Sequence, residues 1–171
     1  MNKLKLQNVW VAVRSILFAL LLASIATAEP ASSVQGAIDF HEISSVALTS
    51  RAWTALAAKD FDAVAAYTGK CRELYEAEAR RQQSDLASFI PSSERDRILS
   101  LWALNDVAVC YLIAGQSLEL QGNTSAAITL YQALNKKFPY AQCWDNKGWF
   151  WRPAEVARTR LYHLEFEAAS R

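Results

Sequence analysis

Residues that break regular structure are scarce in this chain: glycine occurs five times and proline four times in 171 residues. Alanine, leucine and charged residues fill the rest, which favours helix over strand. No stretch alternates polar and apolar residues for long enough to specify a strand. Cysteine is rare as well, with only Cys71, Cys110 and Cys143. They form no Cys-x-x-Cys pair and no Cys/His cluster, so neither a redox motif nor a zinc site is supported. The two histidines, His41 and His163, sit at no spacing that a catalytic triad or a metal site requires. No metal or cofactor is therefore expected. An excess of one charge is also missing, since 18 basic residues face 17 acidic ones. That balance gives no electrostatic reason to expect nucleic acid as a partner.

A long hydrophobic run is absent too. The longest uncharged apolar stretch near the N-terminus covers residues 16–25, whereas a membrane span needs about 20 apolar residues. That run follows Lys3, Lys5 and Arg14 and leads to Ala26-Thr27-Ala28. A basic start, a short apolar core and a small-x-small exit predict a secretory signal peptide over residues 1–28. The alternative is an uncleaved membrane anchor. No cysteine stands at the exit, which speaks against a lipid anchor there. Cleavage removes three basic and no acidic residues, so the exported chain starts at Glu29 with a net charge of −2. Export to the periplasm or the medium makes a disulfide chemically feasible, although three cysteines leave one over.

Residues 29–171 suffice for one domain with a real core. Ile43, Val46, Leu48, Ala52, Ala55 and Leu56 predict a first amphipathic helix within residues 38–58. Lys59-Asp60 forms a tight connection. Phe61, Val64, Thr68, Cys71 and Tyr75 then line one face of a second helix, and residues 76–83 read as its solvated extension. Pro91 ends this region, because proline disfavours helix in the residue before it. Ser92-Ser93-Glu94 supplies capping hydroxyls and an acid for the next helix. Its stripe is Leu101, Leu104, Ala108, Tyr111, Gly115 and Leu118. Gly122-Asn123 closes it. Ala127, Leu130, Tyr131, Leu134 and Phe138 mark a further helix, stopped by Pro139. An aromatic segment without helical period follows, and Pro153 opens a last, capping helix over residues 153–168. The expected architecture is all-α, with five or six helices in antiparallel hairpins.

Residues 108–139 resemble one tetratricopeptide repeat. Tyr111, Ala114-Gly115, Leu118 and Gly122 match the first helix and turn of that family; Ala127, Tyr131 and Pro139 match the second helix and its end. Gly115 and Ala127 let two helices approach closely, while Tyr111, Leu118 and Tyr131 fill the space between them. Leu134 departs from the alanine usual near that helix end. Residues 45–76 resemble a weaker copy, with Ala52 and the Lys59-Asp60-Phe61-Asp62 turn in place but Val64 and Thr68 where alanine and an aromatic are usual. The turns at Lys59 and Gly122 lie 63 residues apart, against about 34 in a tandem array. The alternative is a generic helical bundle. The string from Cys143 to Glu155 resembles the C-terminal end of small exported bacterial repeat proteins, some of which carry a beta-glucanase label.

The resemblance implies a concave face built by the first helix of each pair, on which Trp53, Leu56, Leu112, Gln116 and Glu119 meet a partner protein or peptide. Trp144, Trp149 and Trp151 have two readings: a platform for a sugar ring or a peptide, or a cap over the open end of a short helical stack. Cys110 and Cys143 fall on the same side of the repeat hairpin, so they are the candidate disulfide, with three buried thiols as the alternative. Glycoside hydrolysis requires two carboxyls at a defined separation, and no such pair stands out of the sequence. The expected function is a non-catalytic, exported interaction module, with a carbohydrate-active protein as the alternative.

Overall fold

The computed structural model describes residue 38 and residues 40–170, so the signal peptide read at residues 1–28 lies outside the described residues. Among these residues the order is α1 (Ser45–Ala57), α2 (Phe61–Ser84), α3 (Arg95–Ser100), α4 (Trp102–Leu120), α5 (Thr124–Lys137), β1 (Cys143–Asp145), β2 (Trp149–Trp151) and α6 (Pro153–Ala169). The fold is all-α, with one small antiparallel ribbon pairing Cys143 with Trp151 and Asp145 with Trp149. That ribbon corrects the expectation of no strand. Its strands have three residues each, too short for a period of two to register in sequence. A three-residue loop ending in left-handed Gly148 (φ 104°) closes it.

The two main hairpins turn by the same chemistry. Lys59 (φ 57°) and Gly122 (φ 74°) adopt the left-handed conformation that ends many helices. The residue after each then caps the second helix. Asp60 accepts a hydrogen bond from the Ala63 amide at 3.0 Å, and Asn123 accepts one from the Ala126 amide at 3.3 Å. The first helix starts later than its apolar pattern predicts, because the Ser44 hydroxyl caps it, accepting from the Ala47 amide. Ile43, ahead of the cap, and Val46, in the first turn, are exposed, whereas Leu48, Ala52, Ala55 and Leu56 are buried.

Helix α4 is the centre of the packing. Every residue from Ala103 to Gly115 except Asp106 is buried. The sequence predicts a single apolar stripe on this helix; the structure buries its whole circumference, because α1, α2, α5 and α6 all pack on it. Gly115 sets the α4–α5 distance. A Cβ built there would lie 2.8 Å from Tyr131 Cδ1 and closer still to Cε1, so the fully buried Tyr131 ring takes the place of a side chain.

The polar tail of α2 proves structural rather than solvated. Ala79 and Gln82 are buried, and Glu76 joins three helices. Its Oε1 accepts from Lys137 Nζ at 2.9 Å and from Arg80, while Oε2 accepts from the Tyr111 hydroxyl at 2.7 Å. Burial alone would raise the Glu76 carboxyl, but the Lys137, Tyr111 and Arg80 donors outweigh it and hold the group at about 2, below its ordinary 4.5.

Two outcomes follow from this packing. Gly115→Ala loses about 1–3 kcal/mol of stability by overpacking against Tyr131, and adding Tyr131→Leu recovers part of that loss; urea unfolding of both variants reads the coupling. The Glu76 carboxyl is depressed in the folded state, so its contribution is complete above about pH 5 and is lost as pH falls toward 2. Screening by solvent limits that loss to about 1–2 kcal/mol. Glu76→Gln flattens this part of the acid-unfolding curve, and an unchanged acid limb contradicts the assignment.

Candidate functional site

The helical stretch that the sequence starts at Ser92-Ser93-Glu94 is two helices, not one. Leu101 (φ −86°, ψ 41°) ends α3 and begins α4 in a non-helical conformation. The break leaves amides of the new helix unpaired within it, and α2 satisfies one of them: the Leu104 amide donates to Gln82 Oε1 at 2.9 Å. Asn105 spans the joint, its Nδ2 donating to the Ile98 carbonyl at 2.9 Å. The consequence is positional. Trp102 stands in the first turn of α4, 45% exposed, with its ring edge-to-face against Tyr75.

The ribbon is docked on the same joint. Asn105 Oδ1 accepts from the Gln142 amide at 2.9 Å, and the Cys143 thiol faces the Asn105 carbonyl at 3.6 Å. The Gln142 side chain is buried and forms a two-way clamp with Ile90, accepting from its amide at 2.8 Å and donating to its carbonyl at 2.9 Å. Arg152 lies over Phe89 at 3.8 Å, and Phe89 meets Tyr140 edge-to-face. Residues on both sides of the ribbon thus tie it to the loop before α3.

Between α1, the α3–α4 joint and the ribbon lies a cleft of about 360 Å³, at the low end of the 300–1,000 Å³ or so typical of ligand sites. Four tryptophans line it: Trp53 from α1, Trp102 from α4, and Trp144 and Trp151 from the two strands. Val46, Leu99 and Val109 extend the apolar lining; Thr49, Asn105, Asp106, Gln142 and Cys143 supply the polar part.

Among the described residues Asp106 is the one charged residue in that lining. The Ser45 hydroxyl donates to its Oδ2 at 2.5 Å. Among the described residues no lysine, arginine or histidine pairs with it. Burial pushes its carboxyl above the ordinary carboxylate range, and the Ser45 bond offsets part of that. The side-chain amides and the Thr49 hydroxyl are already engaged. Both ends of the Asn105 and Gln142 amides are used as described, and the Thr49 hydroxyl donates to the Ser45 carbonyl at 2.7 Å.

Three of the sequence-predicted residues meet here: Trp53, from the expected concave face, and Trp144 and Trp151, from the aromatic segment. Trp149 does not. It is half exposed near the ribbon turn, with Lys147 over its ring at 6.0 Å. Trp151 also packs on the core, so part of its role is the capping one. The other expected contacts need correction. Leu56 on α1 and Leu112 on α4 are buried core residues and cannot meet a partner, because α1, α2 and α4 pack against one another. Glu119 is occupied within the fold, accepting from the Tyr131 hydroxyl at 2.8 Å and from Arg160 at 3.2 Å. Gln116 is half-buried and lies outside the cleft.

The candidate disulfide is not formed; all three cysteines are free thiols. Cys110 is buried against Thr49 at 3.4 Å and shares a hydrogen bond with Cys71. That bond, together with burial, pushes the Cys71 thiol up. Cys143 instead faces Asn105, five residues earlier on α4, a shift of about 7.5 Å along the helix. Burial raises its thiol as well.

Asn105, Asp106, Trp102, Leu99 and Gln142 were missed as site residues. One signal did exist: Asn105-Asp106 is the only strongly polar pair in the otherwise apolar run 101–115. Compared with family models, with curated proteins and with solved structures, the chain matches none.

Proposed function

We propose that this chain is an exported, non-catalytic binding module that holds a peptide segment of a partner protein in its tryptophan cleft. The observation carrying this reading is a coincidence of exposure and shape. Val46 (64% exposed), Leu99 (44%), Trp102 (45%) and Trp53 (37%) are large apolar residues left open to water, and all four line one cleft. Contiguous exposed apolar surface of this kind marks interaction sites, and tryptophan is the side chain most enriched where binding energy concentrates.

The arrangement of helices supports a tetratricopeptide-like module. Helix α4 packs on both members of the first hairpin, and α6 packs on both members of the second. Stacking of each new helix on the preceding pair is how helical repeats bury a continuous core. The close Gly115–Tyr131 contact fits the family's steric pattern. Export rests on the N-terminal pattern of residues 1–28.

The carbohydrate reading draws support from the same tryptophans, which offer flat faces to a sugar ring. Two features favour a peptide over it. Sugar hydroxyls need many hydrogen-bond partners, yet the amides of Asn105 and Gln142 are committed inside the protein. Hydrolysis of a glycoside calls for two carboxyls, and the cleft lining offers Asp106 alone.

Random-peptide and glycan arrays probed with the protein and with Trp102→Ala test the proposal. Trp102 is half exposed, so its loss leaves the core intact. The expected result is a set of peptides whose binding falls at least tenfold in Trp102→Ala. A Trp102-dependent glycan signal without such peptides transfers the cleft to the sugar reading, and no Trp102-dependent signal removes the cleft from function.

A further inference from the structure

We infer that the group entering the cleft is a cationic side chain, lysine or arginine, whose charge meets Asp106 and whose stem lies among Trp53, Trp102 and Trp151. This deepens the peptide-binding proposal and rests on it.

Charge complementarity carries the inference. Among the described residues Asp106 is the only charged group in the lining, and its sole hydrogen-bond donor is the neutral Ser45 hydroxyl. A half-buried carboxylate with no cation beside it is an incomplete pair, because removing a charge from water is costly unless an opposite charge replaces the lost hydration. Nothing among the described residues completes it. The Cys110 bond together with burial raises the Cys71 thiol, and burial raises that of Cys143, so neither brings a cation to Asp106. The Arg95 guanidinium rests on the Trp144 ring at 4.1 Å and is not part of the lining.

The walls fit the same occupant. Indole faces carry a negative quadrupole and attract ammonium and guanidinium groups within about 6 Å. Arg95 on Trp144 and Arg152 on Phe89 already display that chemistry around the ribbon. A lysine or arginine stem is aliphatic and suits the apolar lining from Val46 and Val109. An acidic side chain would meet Asp106 with like charge. A neutral polar one would find the amides of the lining already paired.

Calorimetric titration with acetylated, amidated Gly-Gly-X-Gly-Gly peptides, where X is lysine, arginine, norleucine or glutamate, tests the inference. The lysine and arginine peptides should bind at least tenfold more tightly than norleucine, and glutamate least. Asp106→Asn, which keeps an acceptor for Ser45, should lower lysine affinity at least fivefold and leave norleucine unchanged. In the unaltered protein, raising salt from about 50 to 500 mM should weaken only the lysine and arginine peptides, a readout that needs no variant to fold. Norleucine binding as tightly as lysine, through Trp102 and without salt dependence, overturns the cationic inference while leaving the peptide cleft standing. Absence of Trp102-dependent binding by all four peptides overturns both.

Discussion

The burial of α4 on every side is the constraint from which the remaining structure follows. A helix with one apolar stripe needs one neighbour, but a helix apolar all round must be covered all round. Here that cover comes from α1 and α2 on the first-hairpin side and from α5 and α6 on the other. The closest of these contacts is made possible by the missing side chain of Gly115, into which Tyr131 is fitted. The long tail of α2 belongs to the same requirement. It carries Glu76 to Tyr111 and Lys137, and Gln82 to the first turn of α4, so that the helix end and a buried hydroxyl are both satisfied.

The cleft arises where this cover is incomplete. At the N-terminal end of α4 the chain breaks at Leu101, and no helix among the described residues closes the opening. The aromatic ribbon partly closes it instead, held through Asn105 and Gln142. Asn105 therefore serves the fold and the site together: one end of its amide ties α3 to α4, and the other positions the ribbon carrying Trp144 and Trp151. Its neighbour Asp106 projects a carboxylate into an aromatic surrounding with a single hydroxyl for company. A core of this kind accepts such a group at a cost in stability, which is why the charge is more readily understood through a ligand than through packing.

Much of the helical layout was legible in the sequence, since it rests on local signals. Gly122-Asn123 and Lys59-Asp60 mark turns by their backbone chemistry, and Pro153 marks a helix start. The steric role of Gly115 was implied by the resemblance of residues 108–139 to a tetratricopeptide repeat. What escaped depends on contacts distant in sequence. The break at Leu101 has no local breaker and is stabilised by Gln82, 22 residues away from the Leu104 amide it receives. The polar tail of α2 looked solvated because its burial depends on α4 and α5. A repeat resemblance assigns Leu56 and Leu112 to a partner-facing surface without the packing of α1, α2 and α4 against one another, which buries both. The tryptophans were singled out in two separate groups, and only the tertiary fold brings Trp53 beside Trp151.

If α4 sustains the core and the cleft as one unit, the two must open together. Native-state hydrogen exchange tests this directly, comparing the α4 amides of Val107 and Leu112 with those of Gln142 and Ile90, which are held by side chains at the cleft. The account predicts that all four exchange only through global unfolding, with the same free energy and the same denaturant dependence. Exchange of Gln142 and Ile90 far faster than of the α4 amides, and insensitive to denaturant, would show a ribbon that opens by itself and would contradict the account.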